Sequence, residues 1–259
     1  MSAPAAVHFE KRGEFARITF DRPGARNAMT WAMYDQLSAA LDQLESDTTI
    51  RVAEFRGAGG NFVAGTDIRQ FESFASADDG VEYERQLEAI VLRLETVRVP
   101  TVAVVQGHAA GAGLLFAMAC DVRMCTPDAL FSAPIARTVG NTLSLRSVAR
   151  LVAHLGPSRT KALIMTAAAM EASEARAAGF VSTVVEVERL EQRISELLSR
   201  LASLAPLTLR ATKQMVTRVL DTLSLTDGND IVRQVYGSRD FREGVNAFAE
   251  KRAPSWESR

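Results

Sequence analysis

Along the chain, short blocks of alternating or continuous apolar residues exchange with longer blocks whose apolar positions recur every three or four residues. Residues 7–12 and 15–20, separated by Gly13-Glu14, carry the partly alternating pattern of a β-hairpin. Asp21-Arg22-Pro23-Gly24 then reads as a turn. Thr30 is placed to cap a helix with Tyr34, Leu37, Leu41 and Leu44 on one face. The plan repeats. A strand over 51–56 leads through a glycine-rich loop (57–67) towards a helix over 81–96, with Leu87, Ile90, Val91 and Leu94 inward. A continuous apolar strand over 101–105 leads through a glycine–alanine stretch into an apolar helix, and a further short strand follows over 121–126. Strand, glycine turn and helix in succession imply parallel crossover connections and an α/β core. After residue 187 the patterns are helical, over 190–204, 207–223, 226–237 and 239–251, with Pro206 punctuating the first junction. This change of character predicts an α/β core over 1–200 and a helical region over 201–259 that forms a second layer or an oligomerisation element.

Composition narrows the class. A chain of 259 residues that is 47% hydrophobic can bury a large core, and a net charge of −1 argues against binding nucleic acid or a membrane surface. The two cysteines, Cys120 and Cys125, lie in apolar surroundings at a spacing that fits neither a zinc site nor a disulfide framework, so a reducing, cytoplasmic setting is expected. The N-terminal MSAPAAVHFEKRGEF has no apolar core of the signal-peptide kind. The longest apolar run, 99–120, is interrupted by Pro100, Gln106 and His108 and reads as a buried strand and helix rather than a membrane span.

Candidate chemistry starts from two glycine turns, GAGGNFVAGTD (57–67) and GHAAGAGLL (107–115), each directly after a strand. Each offers backbone N–H groups on a chain with little side chain, and two such groups converging on one oxygen make an oxyanion hole. The competing explanation is tight helix–strand packing, for which glycine and alanine are ordinary. A dinucleotide site is not indicated, because Gly111-Ala112-Gly113 is followed by Phe116 where the fingerprint needs glycine. No metal or redox cofactor is indicated either.

Four motifs in order and at matching spacing then carry a resemblance: RPGARNAM (22–29), NFVAGTDI (61–68), VQGHAAGAG (105–113) and MACD (118–121), continued by GFV (179–181) and FAEKR (248–252). Together they resemble the enoyl-CoA hydratase/isomerase (crotonase) superfamily over nearly the whole chain. The resemblance implies a spiral of ββα units with a C-terminal α-helical oligomerisation region. It also implies acyl-CoA thioesters as substrates and a homotrimer or dimer of trimers. Coenzyme A would enter only as part of the substrate. Matched position by position, the oxyanion-hole amides fall on Thr66 and Ala112. The CoA-binding segments fall on Arg26, Ala28, Ala64, Asp67 and Ile68, and Lys251 matches a position that reaches CoA in a neighbouring subunit.

The resemblance also marks a departure. The two glutamates that move protons in the hydratases correspond to Leu115 and Ile135, and no Asp or Glu occurs over 129–170. Glu88, beside Leu87 and Val91, is the first substitute, since a carboxylate against an apolar wall has a raised pKa suited to acid–base work; otherwise it belongs to a solvated face with Glu84 and Glu95. His108, on the glycine turn, is the second. Arg146, Arg150, Arg159 and Lys161 read as exposed helix charges. The expected activity is that of a hydratase/isomerase-like enzyme polarising a thioester carbonyl, with weak hydration. The alternatives are an enoyl-CoA isomerase, another enolate-forming enzyme, or a non-catalytic acyl-CoA binder.

Overall fold

The computed structural model describes residues 5–223 and 227–257. The chain opens with the antiparallel pair β1 (Ala6–Arg12) and β2 (Phe15–Asp21), in register Val7 opposite Phe20. Helix α1 (Trp31–Ser46) follows, capped by the Thr30 hydroxyl accepting from the Met33 amide. Its Tyr34, Leu37, Leu41 and Leu44 are buried along one stripe, as the period requires. Then come β3 (Val52–Gly57), α2 (Ala77–Thr96), β4 (Thr101–Val105), β5 (His108–Ala110), α3 (Ala112–Ala119), β6 (Val122–Cys125), β7 (Leu130–Ser132), α4 (Ile135–Thr138), α5 (Leu145–Met165), β8 (Ala169–Glu171), α6 (Ala172–Ala177) and β9 (Thr183–Val184). The tail is helical: α7 (Leu190–Ser203), α8 (Pro206–Asp221), α9 (Asn229–Tyr236) and α10 (Arg239–Ala249). Part of the helix expected over 226–237 falls on residue 226, outside the described residues; α9 starts at Asn229.

The strands form two sheets. One has the order β1-β2-β3-β4-β6-β9, parallel from β2 onward; the other has the order β5-β7-β8. The chain passes back and forth between them, β4 to β5 and β6 to β7, which is the ββα spiral. All eight residues of α3 are buried, so this helix is the axis on which both layers pack. No helix of the described residues is long and apolar enough to cross a membrane.

The helical tail does two different things. Helix α9 packs on α2, and α10 on the 3-10 turn Ile68–Ser73 and on α4, closing over the core of their own chain. Helix α8 instead leaves Leu207, Met215, Val216 and Val219 exposed. Two charges expected on the surface are interior. Arg150 is 1% exposed and its Nε donates to both Glu95 carboxylate oxygens at 2.7 and 2.9 Å, with Glu95 also buried. Both lie on the apolar stripes of α5 and α2, where the helical period puts them inward whatever their charge.

Candidate active site

Asn27 builds the first wall. Its buried Nδ2 donates to the carbonyls of Ala58 and Asn61 at 2.8 and 2.7 Å, while its Oδ1 accepts from the Arg22 amide at 2.8 Å. The loop after β3 is thereby pinned to the turn after β2. Further on, the Met29 amide donates to Gly65 O and the Asp67 amide donates to Met29 O, both at 2.8 Å. Peptide groups alternate in direction along an extended chain, so the Thr66 N–H between these two bonds points away from Met29. Thr66 lines a cavity of about 550 Å³.

The second wall is the start of α3. Gly111 turns the chain at φ 51°, a conformation open to glycine, with its amide donating to Ser132 O at 3.0 Å. Ala112 is the first residue of the helix, so its N–H has no partner within the helix. A Cβ on Gly111 would lie 3.7 Å from the Gly65 Cα: the two turns abut. At Gly113 a Cβ would come within 1.9 Å of Val63 O, which is why α3 can seat directly on the loop after β3. Thr66 and Ala112 thus line one cavity. The Thr66 hydroxyl is held by Tyr34 Oη at 2.5 Å and Tyr83 Oη at 2.7 Å.

The titratable groups on the cavity wall include one that the sequence assigns to solvent. Glu84 lines the cavity and is 3% exposed. Tyr236 Oη donates to its Oε1 and the Ser144 amide to its Oε2, both at 2.8 Å. Burial raises its pKa to about 7 against the opposing effect of those two hydrogen bonds. Asn141 Nδ2 donates to Tyr236 Oη at 3.0 Å, and Asn141 Oδ1 is buried without a partner.

Glu88, one turn further along α2, is not among the residues lining this cavity. Its half-buried carboxylate faces Arg146 at 3.7 Å, and burial raises its pKa too. Glu88 lies four residues from Glu84 on the same side of α2, at the edge of the buried stripe of Tyr83, Glu84, Leu87, Val91, Leu94 and Glu95, where its carboxylate meets Arg146 rather than the cavity. That period was the signal for Glu84 in the sequence. Tyr236 had no such signal, being 152 residues away.

His108 does line the cavity. Burial, then the nearby Arg26 with Nη1 3.4 Å from Nε2, lowers its pKa from the ordinary imidazole value. Ile135 also lines the cavity, whereas Leu115 is fully buried behind it. Arg26, Ala64 and Ile68 are on the cavity wall; Ala28 is not. Asp67 turns away from it: despite burial, hydrogen bonds from Arg69 and Arg22 (2.8 and 2.9 Å) hold its pKa below the usual carboxylate value, and it caps the 3-10 turn at Ile68–Ser73. Lys251 is exposed just beyond α10, while Phe248 of α10 lines the cavity of its own chain. So α10 serves this chain's own cavity.

Comparison with known proteins gives the family of the chain. Residues 10–259 match the family model described as enoyl-CoA hydratase/isomerase. A probable mitochondrial enoyl-CoA hydratase of Dictyostelium discoideum is 31% identical over 254 residues, covering 96% of this chain and 90% of that protein. A carnitinyl-CoA dehydratase of Proteus mirabilis is 31% identical, covering 98% of this chain and 99% of that protein. Among solved structures, a methylmalonyl-CoA decarboxylase in complex with 2-nitronate-propionyl-CoA superposes with a TM-score of 0.89 at 27% identity, covering 98% of both chains.

Proposed function

The chain belongs to the enoyl-CoA hydratase/isomerase superfamily, and from that premise we propose that it forms an enolate from a bound acyl-CoA, with Glu84 moving the proton. The thioester oxygen sits between the Thr66 and Ala112 amides, which stabilise the negative charge as it develops on that oxygen. Ionised Glu84 takes a proton from the α-carbon, and the electron pair moves through the carbonyl onto the oxygen. Glu84 then returns the proton, to the α-carbon in simple exchange or to the γ-carbon of a β,γ-enoyl thioester. In the second case the double bond moves into conjugation with no net change in composition.

The observation that carries this reading is the cavity wall itself. Among the described residues lining it, Glu84 is the one carboxylate, and its pKa of about 7 suits both halves of a proton shuttle near neutral pH. Leu115 and Ile135 stand where a hydratase would hold its glutamates, so hydration of crotonyl-CoA is expected to be several orders of magnitude slower than in a two-glutamate enzyme. Arg26, Ala64 and Ile68 receive the CoA moiety, with Arg26 and Lys251 available to its phosphates. The exposed apolar side chains of α8 support a homotrimer or dimer of trimers, which light scattering would register as a multiple of three chain masses.

The test is exchange of the α-protons of butyryl-CoA in heavy water. Exchange should be lost in Glu84→Gln with CoA affinity kept. Full exchange in a folded Glu84→Gln protein would remove Glu84 from the mechanism, and binding without exchange in the wild type would make the protein a non-catalytic binder.

One observation favours a second reading. The superposition on methylmalonyl-CoA decarboxylase, together with the apolar residues at 115 and 135, fits decarboxylation of an acyl-CoA carrying an α-carboxylate. Loss of CO₂ leaves its electron pair on the α-carbon, so the enolate forms without a base, and protonated Glu84 would supply the proton afterwards. Release of CO₂ from methylmalonyl-CoA, unaffected by Glu84→Gln, would select this reading over the first.

A further inference from the structure

Tyr236 stands between two side chains that can each take its one hydroxyl proton. On one side is Glu84 Oε1 at 2.8 Å; on the other is the Asn141 amide, whose Nδ2 lies 3.0 Å from the same Oη. Burial, then the Glu84 charge, raises the Tyr236 pKa well above the ordinary phenol value. The hydroxyl therefore keeps its proton through the neutral range, and only the direction of that proton can change. Ser144 is fixed. It caps α5, with its Oγ accepting from the Ser147 amide at 3.2 Å, and its own amide holds Glu84 Oε2 at 2.8 Å. Asn141, earlier in the loop between α4 and α5, has more freedom. Among the described residues its side chain makes one hydrogen bond, to Tyr236, and its Oδ1 is buried with no partner. Turning the amide plane over about the Cβ–Cγ bond exchanges Nδ2 for Oδ1 and breaks no other hydrogen bond, and this torsion is broad and roughly two-fold.

We propose that Asn141 is a positioning residue for Glu84: its side-chain amide turns over as Glu84 gains or loses a proton, so that the Tyr236 hydroxyl has an acceptor in both states. This rests on the reading of Glu84 as the group that moves the proton, and it adds the device that lets Glu84 cycle. With Glu84 ionised, the carboxylate only accepts. Tyr236 donates to Oε1 and its oxygen accepts from Asn141 Nδ2, which is the arrangement present. With Glu84 protonated, Oε2 still accepts from the Ser144 amide, so the proton sits on Oε1 and is donated to Tyr236 Oη. The Tyr236 proton is displaced towards Asn141, where Nδ2 would oppose it with another hydrogen. The turned amide offers Oδ1 instead, and the orphaned acceptor gains its partner. The chain from Asn141 through Tyr236 to Glu84 is unbroken in both states and runs in opposite directions. The other groups facing Glu84 are Tyr34 on α1 and Tyr83 on α2, kept neutral by burial, and Glu88 on α2, a like charge that raises the Glu84 pKa and itself faces Arg146 of α5.

The test follows the side-chain NH₂ signal of Asn141 in protein labelled with ¹⁵N-asparagine, identified by its absence from Asn141→Asp or Asn141→Leu, from pH 5 to pH 9. In the wild type the signal should titrate with the midpoint of Glu84, at about 7. It should be independent of pH in Glu84→Gln, which has no proton to lose, and in Tyr236→Phe, where the chain is cut; a titration caused by Glu88 would persist in both. Asn141→Asp can only accept when ionised, so it favours protonated Glu84 and should move the midpoint of α-proton exchange up by about one to two pH units. A constant Asn141 signal in the wild type, or one that titrates unchanged in Glu84→Gln or Tyr236→Phe, would overturn the proposal, as would an unmoved exchange midpoint in Asn141→Asp. Titration of the amide as expected, together with full exchange in Glu84→Gln, would instead defeat the proposed function and leave the turning amide standing.

Discussion

Glu84→Gln should make the protein more stable at alkaline pH while removing its proton transfer. A carboxyl that ordinarily titrates at 4.5 titrates at about 7 in the fold because burial strips its charged form of water. The folded state therefore holds the proton more tightly than the unfolded chain, and stability falls as pH rises from 4.5 towards 7. The penalty is absent below 4.5 and complete above 7. At about 1.4 kcal/mol per pH unit it amounts to roughly 3 kcal/mol for the ionised group. Glutamine carries no such charge. It can keep its carbonyl on the Ser144 amide and turn its NH₂ towards Tyr236 Oη, which would accept from it as it already does from Asn141. The assay is urea unfolding of both proteins at pH 5 and pH 8.5. The stability of the variant relative to wild type should shift in its favour by roughly 2–3 kcal/mol between the two pH values. Taking the difference across pH cancels the packing effect of the substitution and every titration the two proteins share. In parallel, wild-type α-proton exchange should rise with pH and level off above about 7, and the variant should be slower by about 10²–10⁴-fold. A pH-independent stability difference, or one that turns against the variant at pH 8.5, would refute the premise that Glu84 is buried at the expense of its charge.

Three further outcomes are expected. Ala112→Pro removes one oxyanion donor at the first position of α3, where a helix tolerates proline; exchange should fall by about 10²–10³-fold with the circular-dichroism spectrum retained. Gly113→Ala drives a methyl group into the Val63 carbonyl at 1.9 Å, so thermal unfolding should move down by an amount corresponding to at least about 1–3 kcal/mol, if the protein folds at all. Glu95→Ala strands the buried Arg150 guanidinium with only the half-exposed Asp221 at 2.8 Å as an anionic partner, and chemical denaturation should register a loss of about 3–5 kcal/mol.

The elements that were legible in the sequence are those long enough to show a period. The hairpin registers as read, and the stripe Tyr34, Leu37, Leu41 and Leu44 of α1 is buried throughout. Strands β5, β7, β8 and β9 are two or three residues long, below the length at which alternation exists to be seen. Their pairing, such as Leu130 with His108 and with Glu171, is set by the packing of whole layers rather than by local pattern. At the site, the two turns that bring Thr66 and Ala112 to one cavity leave a local mark in the sequence, because both are rich in glycine. The burial of Glu84 is not legible from charge alone, because charge by itself predicts exposure. Glu84, Glu95 and Arg150 all occupy apolar-stripe positions, and there the period decides the direction of the side chain while neighbouring hydrogen bonds decide whether its charge is tolerated.

The same logic bears on the helical tail. Sequence assigns everything after residue 200 to a second layer or an oligomerisation element, and α8 turns apolar side chains outward while α9 brings Tyr236 to Glu84 and α10 brings Phe248 to the cavity. Tyr236 is one of the two hydrogen-bond partners of the buried Glu84 carboxylate, with the Ser144 amide. Without it Oε1 of Glu84 loses its hydrogen bond, and the pKa would climb further above 7 as that opposing effect disappears. The Glu84 carboxyl is thus tuned by a residue that reaches it only when the tail has docked. In Tyr236→Phe the pH midpoint of exchange should move upward while CoA affinity stays the same. A role for Tyr236 confined to packing would leave that midpoint where it is.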